Sequence, residues 1–469
     1  FTILVLAHFA FFSPGVIARW TYGSYPLIIS LVSGLTLLGL FIIYWKPQLV
    51  ERISSRIILA WNLFFTQSLS SLIFSHTPSF PSIPESAPVI VVAPTIIQKV
   101  LLLITLLLFP VIFLDFAIFS RVIVHRKPTP AKIAPGFLLG ALLWVILIFM
   151  NIFTNVWGYV EPISPFFRGK YWLPFLLACG TATILAWCFH SRHKVTYQVT
   201  NEMIVKDWKI PALVLGIIFL LTCSSALLTE HPQSASMDVR SLTVMTYNIQ
   251  QANDIDGEKS YLQQLALIRK INPDILALQE IDSARISLGN NDYLRYFANK
   301  LKDYEFYGPT TVTGTYGTAL LAKYPLENVQ IFFTFSDQDE VGVTQAEVVV
   351  DGLRFTIFCV HPDGSDLADQ AFADALLEQA AGKDNVIALG DYNLRDYEPA
   401  YQRIDEVFQN AWTTLYPTGI NDQGLDMSGK NRIDHIFISQ HLTVLEAYYL
   451  LPPESATDHP VHWAKLSWK

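Results

Sequence analysis

The sequence predicts two unlike parts. An N-terminal polytopic α-helical membrane domain covers residues 1–228, and an α/β domain covers 241–469, with two mixed sheets packed face to face and helices outside. Three observations predict this. The 469 residues are 52% hydrophobic and only 15% charged, where a soluble domain averages about 25% charged, so part of the chain belongs in lipid. Long apolar runs fill the first half, and short strands alternate with amphipathic helices in the second. Charge follows the same divide, +8 up to Met237 and −16 from Asp238 onward.

A spanning helix needs about 20 mostly apolar residues. Seven runs qualify or nearly so: Phe1–Ile17, Pro26–Trp45, Ile57–Ser75, Val100–Ser120, Ile133–Asn155, Tyr171–Phe189 and Ile210–Leu228. None has a polar face, which argues against a soluble helical core. The first run is read as the remnant of a longer apolar segment, with a cleaved signal peptide as the alternative. Lys and Arg concentrate in alternate loops (Lys46, Arg52 and Arg56; Arg121, Arg126, Lys127 and Lys132; Arg192, Lys194, Lys206 and Lys209). Those loops are expected to face the cytoplasm. An odd number of spans then puts the second half on the extracytoplasmic side, lumenal in a eukaryote and outside the inner membrane in a bacterium.

Two outward loops stand out. His76–Gln98 is Pro-rich and apolar, and Trp157–Trp172 is rich in aromatic residues. They read either as an interfacial belt with ordinary loop packing, or as a ramp carrying a lipid headgroup to the soluble half. Asp115 is an acid inside a span and so a functional candidate, although snorkelling or a partner such as Arg121 also accounts for it. The four cysteines supply no disulfide framework, since Cys359 alone lies in the second half.

After a polar linker at 229–240, strands are expected at Leu242–Ile249, Ile275–Glu280, Thr318–Ala322, Val329–Phe333, Gln345–Val350, Phe355–His361, Val386–Asn393, Ile433–Ile438, Val444–Leu450 and Val461–Leu466. Helices are expected at Glu258–Ile271, Asn291–Leu301 and Leu367–Ala380. Polar residues gather at the strand ends: Asn248, Glu280, His361, Asp391 with Asn393, Asp434, and Asp458 with His459. Each taken singly has an ordinary structural reading, such as a turn, a cap or a satisfied core histidine. Together they form a set of carboxylates and amides that suits a hard cation, Mg²⁺ or Mn²⁺, and no Cys/His set has zinc spacing.

This ordered constellation resembles the endonuclease/exonuclease/phosphatase superfamily, whose DNase-I-like fold is an α/β four-layer sandwich. The resemblance covers roughly Ser241–Lys469. It implies that Glu280 holds a divalent metal, helped by Asn248 and, directly or through water, by Asp458. Asp391 and Asn393 would orient the attacking water and a phosphate oxygen. His459 would contact the scissile phosphate or act as base, oriented by Asp434, and His361 would donate to the phosphate or the leaving group. Gln250 departs from the pattern, standing where many nucleases of the superfamily carry a metal-binding acid.

Substrate does not follow from fold. Nucleic acid is disfavoured by the −16 charge of this half and by its lack of polybasic stretches. The stretches Tyr247-Asn248-Ile249-Gln250-Gln251 and Gly314-Thr315-Tyr316-Gly317-Thr318-Ala319-Leu320-Leu321-Ala322-Lys323-Tyr324-Pro325, behind a multi-span half, resemble the GPI-anchor ceramide-remodelling proteins. That resemblance implies an inositol phospholipid or GPI anchor as substrate and a membrane protein as partner. Lys323 is then a candidate headgroup phosphate contact, with a solvated turn lysine as the alternative. The rival functions are a membrane-tethered nuclease and a non-catalytic lipid-binding subunit of a remodelling complex.

Overall fold

The computed structural model describes residues 13–91, 93–153, 162–167, 169–170, 172–192, 209–228, 232–236, 239–282, 291–308, 316–338, 342–429 and 432–468. Its chain divides into two compact units. One comprises 1–77, 94–155 and 166–229, and the other 78–93, 156–165 and 230–469.

The first unit is helical: α1 (Tyr25–Trp45), α2 (Ser55–His76), α3 (Ile96–Leu108), α4 (Val111–Arg126), α5 (Pro130–Phe153), α6 (Trp172–Arg192) and α7 (Lys209–Leu227). With α3 and α4 taken as one 31-residue span, six segments among the described residues are long and apolar enough to cross a membrane. Most of the further expected span, residues 1–12 of Phe1–Ile17, lies outside the described residues. The expected fourth span is longer than predicted and is interrupted at Phe109-Pro110, where proline lacks the N–H that would continue the ladder. Apolar side chains such as Phe137, Leu138 and Leu142 lie exposed on α5, as a lipid-facing helix requires.

Inside this unit, Asp115 is 1% exposed, and its Oδ1 accepts a 3.0 Å hydrogen bond from Asn62 Nδ2. The reading of Asp115 as a snorkelling residue is thereby corrected. Helix α4 continues to Arg126, so Asp115 lies well inside it and a neutral amide satisfies its carboxylate. Thr66 and Thr183 add a second buried polar contact between α2 and α6 at 3.4 Å.

Among the described residues the second unit has thirteen strands: β1 (Val89–Val91), β2 (Ser241–Asn248), β3 (Ile275–Asp282), β4 (Tyr304–Tyr307), β5 (Tyr316–Ala322), β6 (Glu327–Phe333), β7 (Val343–Val350), β8 (Leu353–Val360), β9 (Asn385–Asp391), β10 (Gln409–Asn410), β11 (Asp434–Ile438), β12 (Thr443–Leu450) and β13 (Val461–Ser467). They form a seven-stranded sheet, β1-β6-β7-β8-β9-β11-β10, and a six-stranded sheet, β12-β13-β2-β3-β5-β4. Alternation along the strands decides the layers. Val244, Ala277, Leu320, Ile357, Leu389 and Ile436 meet in one core cluster fed by both sheets. The opposite face of the first sheet (Phe358, Ala388, Phe437) packs on α10 (Asp366–Ala380) and α11 (Pro399–Asp405). That of the second (Met245, Leu276, Leu278) packs on α8 (Tyr261–Ile271) and α9 (Tyr293–Leu301). The result is the predicted four layers.

Two segments differ from their sequence reading. The loop after His76 contributes β1, which pairs antiparallel with β6 through Val89↔Phe333, Ile90↔Phe332 and Val91↔Ile331. Phe80 of the same loop packs edge-on against Phe333, with ring centroids 5.1 Å apart. Part of the expected linker is also built into the domain, since Gln233 N donates to Lys302 O and Ala235 N to Lys323 O.

Candidate active site

Five strands converge on the site. Strands β8 and β9 run parallel, with Val360 beside Gly390, and β11 pairs antiparallel with β9, placing Asp434 directly opposite Asp391. Gly390 is required there, because a Cβ would lie 2.1 Å from the Val360 carbonyl oxygen. From the other sheet, β2 ends at Asn248, and β3 delivers Glu280 at a register shift between Leu278 and Ile281. A bulge of this kind re-aims a side chain, and Glu280 has φ +47°.

Asp391 is the hub. It is 1% exposed, and its Oδ2 accepts from Asn248 Nδ2 at 3.0 Å. The same oxygen lies 3.7 Å from His361 Nε2 and 3.5 Å from His459 Nδ1. Its Oδ1 accepts from the Asn393 backbone N–H at 3.0 Å. Asn393 has φ +52°, and its Nδ2 donates to Pro362 O at 3.1 Å, which ties the turn after Asp391 to the residue following His361. His459 Nδ1 also lies 3.3 Å from Asp434 Oδ2. The predicted residues Asn248, Glu280, His361, Asp391, Asn393, Asp434 and His459 are thus brought together from both sheets.

Electrostatics separate their roles. Burial would lower the His459 pKa, but the hydrogen bond to Asp434 and the charges of Asp434, Asp391 and Asp458 outweigh it and push it up to about 10. Burial, then repulsion by Asp391, raises Asp434 above the usual carboxylate range. The Asp434–His459 pair therefore retains a proton at neutral pH. Among the described residues, the tight cluster with metal-binding capacity is Asp391, Asp434 and His459, whose ligand atoms all lie within 4.8 Å of one another. Asp434 is fully buried and already engaged by His459, so this cluster suits proton handling better than a cation. Glu280 is less buried and its carboxylate meets Asn248 and Gln251, while Asp458 is exposed and its charge acts on His459 and Asp434. These hard oxygen donors fit Mg²⁺ or Mn²⁺ chemistry.

Lys323 is a correction. It lies beyond the Ala322 end of β5, paired with Ile275 at the start of β3 and so at the opposite end of that strand from Glu280. Its Nζ donates to Asn272 O at 2.9 Å and Asp274 Oδ1 at 3.0 Å. This lysine closes a turn. Gln251, by contrast, was missed as a site residue: its Nε2 reaches Glu280 Oε2 at 3.2 Å. The only signal in the sequence was its place three residues past Asn248.

Next to the site, α10 opens with Asp366 and Asp369. Burial and the charges of Glu398, Asp366, Asp363 and Asp337 push Asp369 up to about 7. A carboxyl that binds its proton more tightly when folded weakens the fold above that pH. The penalty shrinks as pH falls from 7 toward the unfolded value of about 4. Asp369→Asn is expected to stabilise by about 1 kcal/mol at pH 8, after discounting for its partial exposure, and by less at pH 5. Thermal melts at the two pH values check the sign.

Part of the chain is similar to known proteins. Residues 245–459 match the model described as "Endonuclease/Exonuclease/phosphatase family". Similar solved structures include an endonuclease/exonuclease/phosphatase from Beutenbergia cavernae (18% identity, 49% of this chain and 72% of that one, TM-score 0.41). The human Nocturnin catalytic domain with bound sulfate is another (20% identity, 50% and 96%, TM-score 0.37). A third is a humanized D. rerio TDP2 (16% identity, 48% and 99%, TM-score 0.38).

Proposed function

Because residues 245–459 match the model of the endonuclease/exonuclease/phosphatase family, we propose that this protein is a membrane-bound, divalent-metal-dependent phosphodiesterase or lipid-remodelling enzyme that acts on the headgroup of an inositol-phosphate lipid of the GPI type. Members of this family are usually hydrolases of phosphodiester bonds. The observation that carries the reading is Asp391, a buried carboxylate between two imidazoles and beside the Asn248–Glu280 pair. The lipid assignment draws on the apolar helices, the acidic charge of the domain and the two sequence stretches that resemble GPI-anchor remodelling proteins.

Glu280, Asn248 and Asp458 would hold the cation, which when bound offsets the negative charge that builds on the phosphoryl oxygens. The chain's own groups do the rest. Asp391 orients the attacking oxygen and accepts its proton. His459, kept protonated by Asp434, donates to a phosphoryl oxygen. His361, on the other side of Asp391, faces the phosphate or the leaving group. Asn393 fixes the turn that holds Asp391 and His361 in register.

Membrane sidedness has its own support. Segment 78–93 belongs to the same folded unit as residues 230–469, and among the described residues four candidate spans lie between them in the chain. An even number returns the chain to the same side, consistent with the few positive charges of that loop and with an extracytoplasmic domain.

The direct test is detergent-purified full-length protein incubated with phosphatidylinositol, a GPI-type lipid, sphingomyelin and a DNA oligomer, with Mg²⁺ or with EDTA. The expected result is metal-dependent release of an inositol-phosphate headgroup or formation of a lipid exchange product, abolished by EDTA and by His459→Ala. Cleavage of DNA alone would replace this reading with the nuclease. Lipid binding without turnover would replace it with a non-catalytic subunit.

A further inference from the structure

We propose that Gln251 is a positioning residue that sets the Glu280 carboxylate for its divalent cation, an inference that rests on the metal-dependent reading above. The two oxygens of Glu280 are each held by a neutral amide. Asn248 Nδ2 donates to Oε1 and Gln251 Nε2 to Oε2, both at 3.2 Å. An amide on each oxygen restricts rotation of the carboxylate while adding no charge. The remaining lone pairs then meet a cation from an anion already oriented.

The backbone that delivers Gln251 is unusual. Gln250, Gln251 and Ala252 follow one another with φ of +46°, +56° and +63°, a run that side chains other than glycine rarely adopt. Several bonds hold it in place. Gln250 N donates to Asn248 Oδ1, and Asn253 donates to Gln250 O from both its backbone N and its Nδ2. Lys259 Nζ donates to Gln251 O, Ser260 N to Ala252 O, and Gln264 Nε2 to Ile249 O. Strain that the surroundings over-determine in this way collects at functional sites. Its effect here is to turn the Gln251 side chain back onto β3. A turn glutamine with an incidental contact would not need this run, which falls at the same site as the left-handed Glu280 and Asn393.

The test is a Mn²⁺ titration followed by electron paramagnetic resonance on detergent-solubilised full-length protein, with kcat measured across Mn²⁺ concentration. The variants are Gln251→Ala, Gln251→Met (similar in volume, without the donor), Glu280→Ala, and Gln263→Ala on the exposed face of α8 as control. Both Gln251 variants are expected to raise the Mn²⁺ dissociation constant about 10- to 100-fold, with kcat recovering at saturating Mn²⁺. Glu280→Ala loses the isotherm, and Gln263→Ala matches the parent. An unchanged isotherm in both Gln251 variants, with the isotherm lost in Glu280→Ala, overturns the role of Gln251 alone. So does a kcat that stays depressed at saturating metal. A wild-type isotherm in Glu280→Ala overturns the metal assignment itself and this inference with it.

Discussion

Asp391→Asn is expected to lower kcat about 10³-fold or more while leaving the protein folded and at least as stable. The two halves of that expectation come from the same geometry. Asp391 Oδ2 lies within 3.7 Å of both His361 and His459, so neutralising it removes the anion that orients an attacking oxygen and aligns two imidazoles. Yet the same carboxylate is buried beside Asp434, and its charge helps to raise that group's pKa. Neutralising one of two crowded anions relieves repulsion, and an asparagine oxygen can still accept from Asn248. Loss of activity with an unchanged or higher thermal midpoint is how a site built at the expense of stability behaves. The measurements are kcat on the lipid that turns over, together with thermal unfolding. Activity within tenfold of the parent would remove Asp391 from the chemistry, and an unfolded variant would make it a structural residue.

The fold was readable wherever burial imposes a period. Strands β2, β3, β8 and β9 carry apolar runs bounded by polar residues, because each is covered on both faces within a layered domain. The functional residues sit at the carboxyl ends of those runs, so their order alone collected Asn248, Glu280, His361 and Asp391. Distance information was absent. Lys323 and Glu280 flank motifs of similar appearance, but the antiparallel register of β3 and β5 sends them to opposite ends. Gln251 was invisible for a different reason. Its contact depends on three successive left-handed residues, and no propensity predicts such a run in Gln-Gln-Ala. Strand β1 escaped because three apolar residues in a Pro-rich loop carry no period until β6 supplies the ladder. Asp115 was misjudged because a one-dimensional span has no neighbours, and its partner Asn62 is 53 residues away.

A fragment restricted to residues 230–469 is expected to associate into oligomers, and a peptide spanning 78–93 to return it to a monomer. The reason lies at the edge of the seven-stranded sheet. In the intact chain β1 covers β6, pairing with Ile331, Phe332 and Phe333, all fully buried. Removing residues 78–93 leaves a hydrophobic edge strand with unpaired backbone groups, the arrangement most prone to pair with another copy. The fragment also loses the Phe80–Phe333 contact. Covering a half-buried phenylalanine is worth about 1–2 kcal/mol, and the ring pair about 0.5–1.5 kcal/mol more. In the full-length protein the segment is part of the same chain as β6, so its pairing is intramolecular and carries a smaller ordering cost. Supplied in trans, the peptide must also offset its own ordering, so rescue should require an excess of it and weaken in a Phe80→Ala peptide. Light scattering of the fragment with and without each peptide decides the matter. A fragment that stays monomeric alone, with a melting temperature the peptide does not raise, would show that β6 tolerates an open edge and that β1 is a passenger.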